Sequence, residues 1–222
     1  MFPPHITEHW TKTCRRQTYI YPHRDNGSYV IPMDEKENVS VIRRAMMIGT
    51  ISIALFLILN ATGIFLDGTW RPHNMICSLG TSDSELVSTL FTLNCVISGI
   101  GLIVCGCGIA RRRIGPWVTL AYVCVALIGI FLILIGVFDM DTDIHEPFAF
   151  GVAFMMGATM AIMSVDDIIR HRFGWVFVSA TIALGLLGVL LFIPEYGQFI
   201  SLISMLSWTL LRFGTCAIKG EV

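Results

Sequence analysis

Charged residues are scarce in this chain. Lysine, arginine, aspartate and glutamate make up 14% of its 222 residues, while 55% are hydrophobic. Soluble domains carry about 25% charged residues, so the composition fits a lipid bilayer better than water. The net charge is only −1, which provides no basic field for nucleic acid. The composition therefore predicts an integral membrane protein and excludes a nucleic-acid partner.

Cysteine pairs of the kind that hold zinc are missing. None of the seven cysteines forms a C-x-x-C pair, and several lie inside apolar runs. This pattern excludes a zinc or disulfide framework, because buried cysteine usually acts as a small apolar residue. We also expect no cleavable leader before the apolar runs, since the first 44 residues are polar. We expect the first apolar run to act as its own insertion signal.

Six long apolar runs are what the sequence does contain. Each is near the roughly 20 residues that cross about 30 Å of hydrocarbon, and only helices satisfy their own backbone in lipid. The predicted fold is all-α, a polytopic bundle of six transmembrane helices. Residues 1–44 are predicted to be a polar, largely disordered cytosolic tail, and residues 218–222 a short cytosolic end. The runs are Ala45–Leu66, Leu86–Ala110, Gly115–Phe138, Pro147–Val165, Phe173–Ile193 and Gly197–Ala217.

The basic residues predict the orientation. All of the 15 lysines and arginines except Arg71 fall on one side of the six predicted helices. The positive-inside rule then places both termini in the cytoplasm of a multi-pass protein, with the cell membrane as its expected location. Arg212 lies before the end of the sixth run, so we expect it to reach the inner interface by snorkelling.

Small residues form stripes on two of the predicted helices. Such stripes let helix backbones approach closely in lipid, so we favour packing over a ligand groove. Asn60 and Asn94 lie at matching depths and are predicted to bond to each other. The second helix carries Asn94, Ser98, Gly101, Cys105 and Gly108, and the fourth carries Ala149, Ala153, Gly157 and Ala161.

A polar candidate site lies in the predicted outer loops, centred on the sequence VFDMDTDIHEP at Val137–Pro147. An EF-hand is excluded, because Ile144 and Phe150 occupy the positions of its glycine and glutamate. The sequence requires no cofactor, but His73, His145 and Asp141 could hold a divalent metal. The structural alternative is a capping box from Asp143 to Glu146, with Pro147 in the first helical turn. The candidate outer-face residues are Ser78, His73, Asp139, Asp141, Asp143, His145 and Glu146.

Three segments resemble a known family. They are HNMICSLGT at His73–Thr81, LFTLNCVISGIGLIVCGCGIARR at Leu90–Arg112 and GVFDMDTDIHEPFAFGVAF at Gly136–Phe154. They are similar to motifs of the prokaryotic domain-of-unknown-function family nine-nine-eight, and more distantly to the six-helix DRAM and Frag families. The resemblance implies a six-helix bundle and marks Ser78 and His145 as motif positions without an assigned role. The long basic tail is not a feature of that family, and the usual proline of the acidic turn is replaced by Asp139 or Met140.

Three functions remain open at this point. The first is a non-enzymatic bundle that binds lipid or a membrane-protein partner. The second is an outward-facing, metal-assisted lipid hydrolase that uses His73, His145 and the aspartates. The third is a transporter, which is disfavoured because no Asp, Glu, Lys or His lies in the middle of a predicted helix. We also expect Ser78, His145 and at least one of the three loop aspartates to converge beneath the outer surface.

Overall fold

Six α-helices and one short 3₁₀ helix make up a computed structural model of the protein, which describes residues 35–71, 74–112, 114–138, 142–193 and 196–219. The 3₁₀ helix, Ile76–Thr81, lies between the first two α-helices. No strand occurs within these ranges, so the all-α prediction is confirmed. The helices are α1 Glu35–Asp67, α2 Glu85–Ala110, α3 Pro116–Val137, α4 His145–Ile169, α5 Phe173–Phe192 and α6 Gly197–Lys219.

Membrane-length helices dominate the described part of the chain. Five are long and apolar enough to cross a bilayer: α1 from Val39, then α2, α3 and α4, and α6 over Phe199–Ile218. The apolar part of α5 is shorter and covers Phe173–Val189. These helices give the protein the character of a multi-pass integral membrane protein.

Two helix boundaries differ from the predicted runs by four residues or more. The polar residues 35–44, assigned from the sequence to the tail, are helical and extend α1 at its start. Residues 1–34 of that predicted tail lie outside the described residues. At the other boundary, α4 continues past Val165 to Ile169. Asp166 and Asp167 therefore belong to a helix instead of a loop.

Helix α2 packs closely on two neighbours through glycines on two of its faces. On one face, a Cβ added at Gly101 would collide with the Ser52 hydroxyl of α1. On the opposite face, a Cβ at Gly99 would lie 2.6 Å from the Gly129 carbonyl oxygen of α3. Real Cβ atoms do not approach backbone so closely, so only glycine allows this spacing between α2 and α3.

The predicted stripe on α2 lies against α1. A Cβ added at Gly49 would lie 2.7 Å from the Cys105 sulfur, and one at Gly108 would lie 3.3 Å from Ala45. Cys105 is fully buried. These contacts have the short range that small residues permit between membrane helices.

Of the predicted stripe on α4, Ala149 packs against the core, but the other three residues do not pack against another described helix. Ala153 and Ala161 are exposed, and a Cβ added at Gly157 would meet no atom within 4 Å. The reason is that these three residues lie on a side of α4 that faces away from the other described helices. Buried positions Val152, Met156 and Met163 occupy the other side of the helix.

Helix α6 returns to pack against α1 and α3. The Phe213 side chain is completely buried and its ring lies 5.7 Å from the ring of Tyr122 on α3. A Cβ added at Gly49 of α1 would lie 2.9 Å from the same phenyl ring. Near the opposite end of α6, Phe199 packs on Trp70 with 5.2 Å between ring centroids. These contacts join the last helix to α1, to the segment that follows α1, and to α3.

Candidate functional site

The described structure places part of the candidate outer-face site. His73, Asp139 and Asp141 lie outside the described residues. Asp143 and Glu146 are exposed to the surroundings. Within the described ranges, no group of three His, Cys, Asp or Glu side chains is arranged to hold a metal ion.

Ser78 uses its hydroxyl locally. It lies half-buried in the 3₁₀ helix, and its Oγ donates to the Met75 carbonyl oxygen at 2.7 Å. Its backbone N–H donates to the same carbonyl at 3.1 Å. Among the described residues, no hydrogen bond joins Ser78 to His145, and their convergence with a loop aspartate stays a prediction.

His145 begins α4 and ties that helix to the end of α3. Its Nδ1 lies 2.8 Å from the Phe138 carbonyl oxygen. A carbonyl oxygen can only accept, so Nδ1 carries the proton and donates it. The side chain is only 6% exposed, and its Nε2 has no hydrogen-bond partner among the described residues.

The predicted capping box at the start of α4 is not formed. The N-cap residue is Ile144, and no side chain makes a capping hydrogen bond there. The His145 backbone N–H instead bonds to the Thr142 carbonyl at 3.0 Å. Asp143 therefore lies one residue too early to cap this helix, and His145 joins the two helices in its place.

The segment between α1 and α2 is held by local hydrogen bonds. Ser82 and Thr69 both donate their hydroxyls to the Asp67 carboxylate at the end of α1. The Trp70 indole N–H donates to the Met75 carbonyl at 3.3 Å. Burial in this segment raises the pKa of the Cys77 thiol to about 11.

A buried ion pair joins α4 to α6 at the other end of the bundle. The Arg212 guanidinium donates to both carboxylate oxygens of Asp167, at 2.8 and 2.7 Å. Arg212 is 2% exposed and Asp167 is 0% exposed. This side-by-side arrangement is the strong, bidentate form of the arginine–carboxylate interaction. The expectation that Arg212 snorkels to the interface is wrong, because a carboxylate on α4 neutralises it within the bundle.

Neighbouring groups surround this pair on α4, α5 and α6. The Arg212 guanidinium carbon lies 4.8 Å from the centre of the Trp175 ring on α5, a cation–π contact. Close by, the Trp208 indole N–H on α6 donates to the Ser179 hydroxyl on α5 at 3.0 Å. Three helices are therefore joined by polar contacts at one end of the bundle.

Asp166 has a weaker partner. Its Oδ2 lies 2.8 Å from the Arg170 Nε one turn later, yet that oxygen has no aligned hydrogen bond among the described residues. We treat this as a close ion contact, because the distance is short while the N–H direction is poor. The two adjacent aspartates thus differ. Asp167 accepts two aligned hydrogen bonds from Arg212, whereas Asp166 has a close contact with Arg170.

Only part of this buried cluster was visible in the sequence. Arg212 stood out as a charge inside an apolar run, and two aspartates followed the fourth run. Complementary charges at the same predicted end of two helices are the signal that could have paired them. The predicted end of the fourth helix at Val165 hid it, because it placed both aspartates in a loop.

The turn between α4 and α5 has the geometry of a Schellman motif. The Arg172 N–H bonds to the Asp167 carbonyl at 2.7 Å, and the His171 N–H bonds to the Ile168 carbonyl at 3.1 Å. His171 has φ 56°, a left-handed conformation that usually belongs to glycine at this position. The motif directs the chain straight into α5.

A shallow groove of about 330 Å³ opens beside this turn. Its lining includes the basic side chains of His171 and Arg172 and the aromatic side chain of Trp175. The same Trp175 ring stacks on Arg212, so the groove adjoins the buried ion pair. The lining residues are His171, Arg172, Phe173, Gly174, Trp175 and Val178.

Two asparagines meet inside the bundle, as their depth suggested, but not by the predicted direct bond. Asn60 and Asn94 both donate through Nδ2 to the Phe56 carbonyl oxygen, at 2.8 and 3.1 Å. At 1.5 Å per residue, Asn60 lies about 10 Å from the end of α1 and Asn94 about 14 Å from the start of α2. The shared acceptor is therefore well within the apolar part of both helices.

Comparisons with known proteins add a family but no activity. No curated protein and no solved structure matches the chain. The sequence model of one family, described as protein of unknown function (DUF998), matches residues 50–212. That match runs from α1 to the buried Arg212 and covers most of the described helices. The chain is a multi-pass integral membrane protein and belongs to the DUF998 family.

Proposed function

We propose that the protein is a non-enzymatic membrane bundle that binds lipid, with the groove beside the α4–α5 turn as its binding site. A phospholipid combines an anionic phosphate with apolar chains. The lining of the groove combines the basic side chains of His171 and Arg172 with the aromatic ring of Trp175. This pairing of chemistries is the observation that carries the proposal.

The surface next to the groove continues the apolar part of the site. Phe177 and Leu184 follow on α5 and are largely exposed. A Cβ added at Gly185 or Gly188 would meet no atom within 4 Å. An acyl chain can lie along such a face once the headgroup is held by the basic side chains of the groove.

The two other candidate functions have less support. A metal-assisted lipid hydrolase needs ligands that include His73, Asp139 and Asp141, which lie outside the described residues. A transporter gains some support, because Asp167 and Arg212 place charge within two helices. However, Arg212 occupies both oxygens of that carboxylate, which leaves Asp167 poorly placed to bind a transported ion.

The proposal is tested by lipid retention on the purified full chain. Native mass spectrometry counts phosphatidylglycerol and phosphatidylcholine bound to the wild type and to Arg172→Gln. A basic residue near a membrane surface contributes about 1 kcal/mol to anionic lipid binding, which is about fivefold in affinity. We expect Arg172→Gln to lose phosphatidylglycerol by about that factor and to keep phosphatidylcholine.

Arg111→Gln is the matched control. Arg111 is an exposed basic residue after α2 and does not line the groove. Retention of phosphatidylglycerol should be unchanged in this variant. Equal losses in both variants would mean that surface charge alone attracts the lipid. A membrane protein that co-purifies and protects Arg172 from chemical modification would point to a protein partner instead.

A further inference from the structure

One buried polar atom inside the α1–α2 interface lacks a partner. The Asn60 side chain is only 6% exposed, and its Oδ1 has no hydrogen bond among the described residues. Buried amide oxygens are nearly always paired with protein groups or ordered water. An unpaired one in the apolar part of a membrane helix therefore calls for a donor.

Rotating the amide does not solve the problem. Asn60 Nδ2 donates to the Phe56 carbonyl oxygen at 2.8 Å. Exchanging the nitrogen and oxygen positions would place two acceptors against each other and lose that bond. The Phe56 carbonyl thus fixes the orientation in which Oδ1 is left without a donor.

Asn94 has an unpaired hydrogen-bond donor, which complements the unpaired acceptor of Asn60. Its Oδ1 accepts from the Ser98 hydroxyl at 3.2 Å, and its Nδ2 donates to Phe56 at 3.1 Å. An amide nitrogen carries two hydrogens, and the second has no acceptor among the described residues. Asn94 is completely buried, so this hydrogen is removed from bulk water.

We propose that an internal water molecule bridges the two asparagines, donating to Asn60 Oδ1 and accepting from the second hydrogen of Asn94 Nδ2. Water can donate and accept at the same time, and such bridges commonly complete buried polar groups. A cation does not fit, because the site carries no negative charge and one of its groups is an N–H donor. The site is distinct from the groove at the α4–α5 turn, so it extends beyond the proposed function.

The bridge is tested by comparing the stability lost in the double variant with the sum of the losses in the two single variants. Asn60→Leu, Asn94→Leu and the double variant are purified as full chains, and their thermal unfolding midpoints are compared with the wild type. If a water joins the two side chains, the first substitution already removes it, so the double variant loses less than the sum of the single losses. The Phe56 carbonyl is shared by the two amides in either case and by itself makes the double variant lose more than the sum. A double variant that loses the sum or more therefore overturns the proposal.

A second measurement uses the wild-type protein and does not depend on the folding of these variants. Asparagine-selective ¹⁵N labelling in bilayers allows polarisation transfer from water to each side-chain amide, with Asn94→Gln to assign its signal. Transfer to the Asn94 amide is expected, and its absence overturns the proposal. Replacing sodium by potassium at constant ionic strength is the test for an ion. A wild-type midpoint that depends on the cation would show that an ion occupies the site instead of water.

Discussion

At the level of single residues, the pair of Asp167 and Arg212 stabilises the end of the bundle where α4, α5 and α6 meet. Either charge alone would be costly to bury. Together they form two short hydrogen bonds, and Trp175 covers the guanidinium. A buried pair of this kind contributes most visibly when one partner is removed, because the other charge is then left uncompensated.

We predict opposite outcomes for single and double substitutions of this pair. Arg212→Leu leaves Asp167 buried and unpaired, which should cost about 3–5 kcal/mol of unfolding free energy. Combining it with Asp167→Leu removes both charges and should restore much of that loss. Thermal unfolding of the purified variants in detergent measures both effects.

Asp166→Asn is the control for the buried pair. Asp166 is buried, but its partner Arg170 is 23% exposed, so water can compensate the arginine once the carboxylate charge is removed, and the loss should be about 0–1 kcal/mol. Its unfolding midpoint should stay close to that of the wild type. If the double variant is as unstable as Arg212→Leu, the charges have a role that packing cannot replace, and lipid retention by that variant would then be worth measuring.

His145 gives the second prediction at this scale. Asparagine can place its Nδ2 near the position of the histidine Nδ1, so His145→Asn should keep the bond to the Phe138 carbonyl. His145→Ala removes that bond and should lose about 1 kcal/mol of unfolding free energy. The comparison is made by thermal unfolding, with bound zinc measured on the same samples.

Comparing the stability and bound zinc of the two His145 variants distinguishes a helix-joining role from a metal-binding role. A helix-joining role requires that asparagine preserves stability and alanine does not. Loss of bound zinc in both variants would instead assign Nε2 to a metal. That result would support the hydrolase over the non-enzymatic bundle.

Single-residue features differed in how far the sequence could predict them. Matching depth was enough to bring Asn60 and Asn94 together, because depth follows directly from the helix rise. It could not show that they share the Phe56 carbonyl, since that depends on helix rotation. Arg212 was misplaced because its partner lay beyond the predicted helix end.

At the level of helices, α2 is the element on which close packing depends most. Its glycines allow contact with α1 through Gly101 and with α3 through Gly99 and Gly106. A Cβ at Gly106 would lie 2.5 Å from the Tyr122 carbonyl oxygen. Backbone atoms cannot rotate away as side chains can, so the α2–α3 contact is the less tolerant of the two.

Gly99→Ala and Gly157→Ala form a matched pair for this argument. The first adds a methyl group against the Gly129 carbonyl and should cost about 1–3 kcal/mol by overpacking. The second adds the same group in open space and should gain about 0.5–1 kcal/mol from the lower flexibility of alanine. Thermal unfolding compares them directly. A destabilised Gly157→Ala would show that this face is covered by another molecule.

The two small-residue stripes show the limit of sequence periodicity. Both predicted close packing, yet within the described ranges the α2 stripe, with Gly101 and Gly108, lies against a helix while most of the α4 stripe does not. Spacing by three and four identifies residues that share a face. It does not tell whether that face meets a helix, lipid or a second protein, because all three are apolar surroundings.

At the level of the whole molecule, the orientation depends on the number of crossings. The charge distribution predicts both termini in the cytoplasm, which requires an even number. Helix α5 decides whether the number is even, since its apolar part is shorter than those of the other five helices. Its 20 residues nevertheless extend about 30 Å, the thickness of the hydrocarbon core. We therefore expect α5 to cross.

The native thiol nearest to the predicted outer surface is a poor probe of this arrangement. Burial raises the pKa of Cys77 to about 11, and the thiolate is the reactive form. At pH 8 it therefore holds roughly two orders of magnitude less thiolate than an ordinary cysteine. Slow labelling of Cys77 would reflect its pKa and not its side of the membrane.

Introduced cysteines at exposed positions give the decisive topology measurement. We predict that an impermeant maleimide labels Asp83→Cys on intact cells. It should label Arg111→Cys, and a cysteine appended after Val222, only after permeabilisation. Both substituted residues are exposed, and Cys14 and Cys77 are replaced by alanine to remove background.

Labelling of the appended cysteine on intact cells, with Arg111→Cys still protected, would mean that α5 does not cross and that five helices span the membrane. Labelling of both Arg111→Cys and the appended cysteine on intact cells, with Asp83→Cys protected, would invert the orientation and place the lipid groove on the outer side.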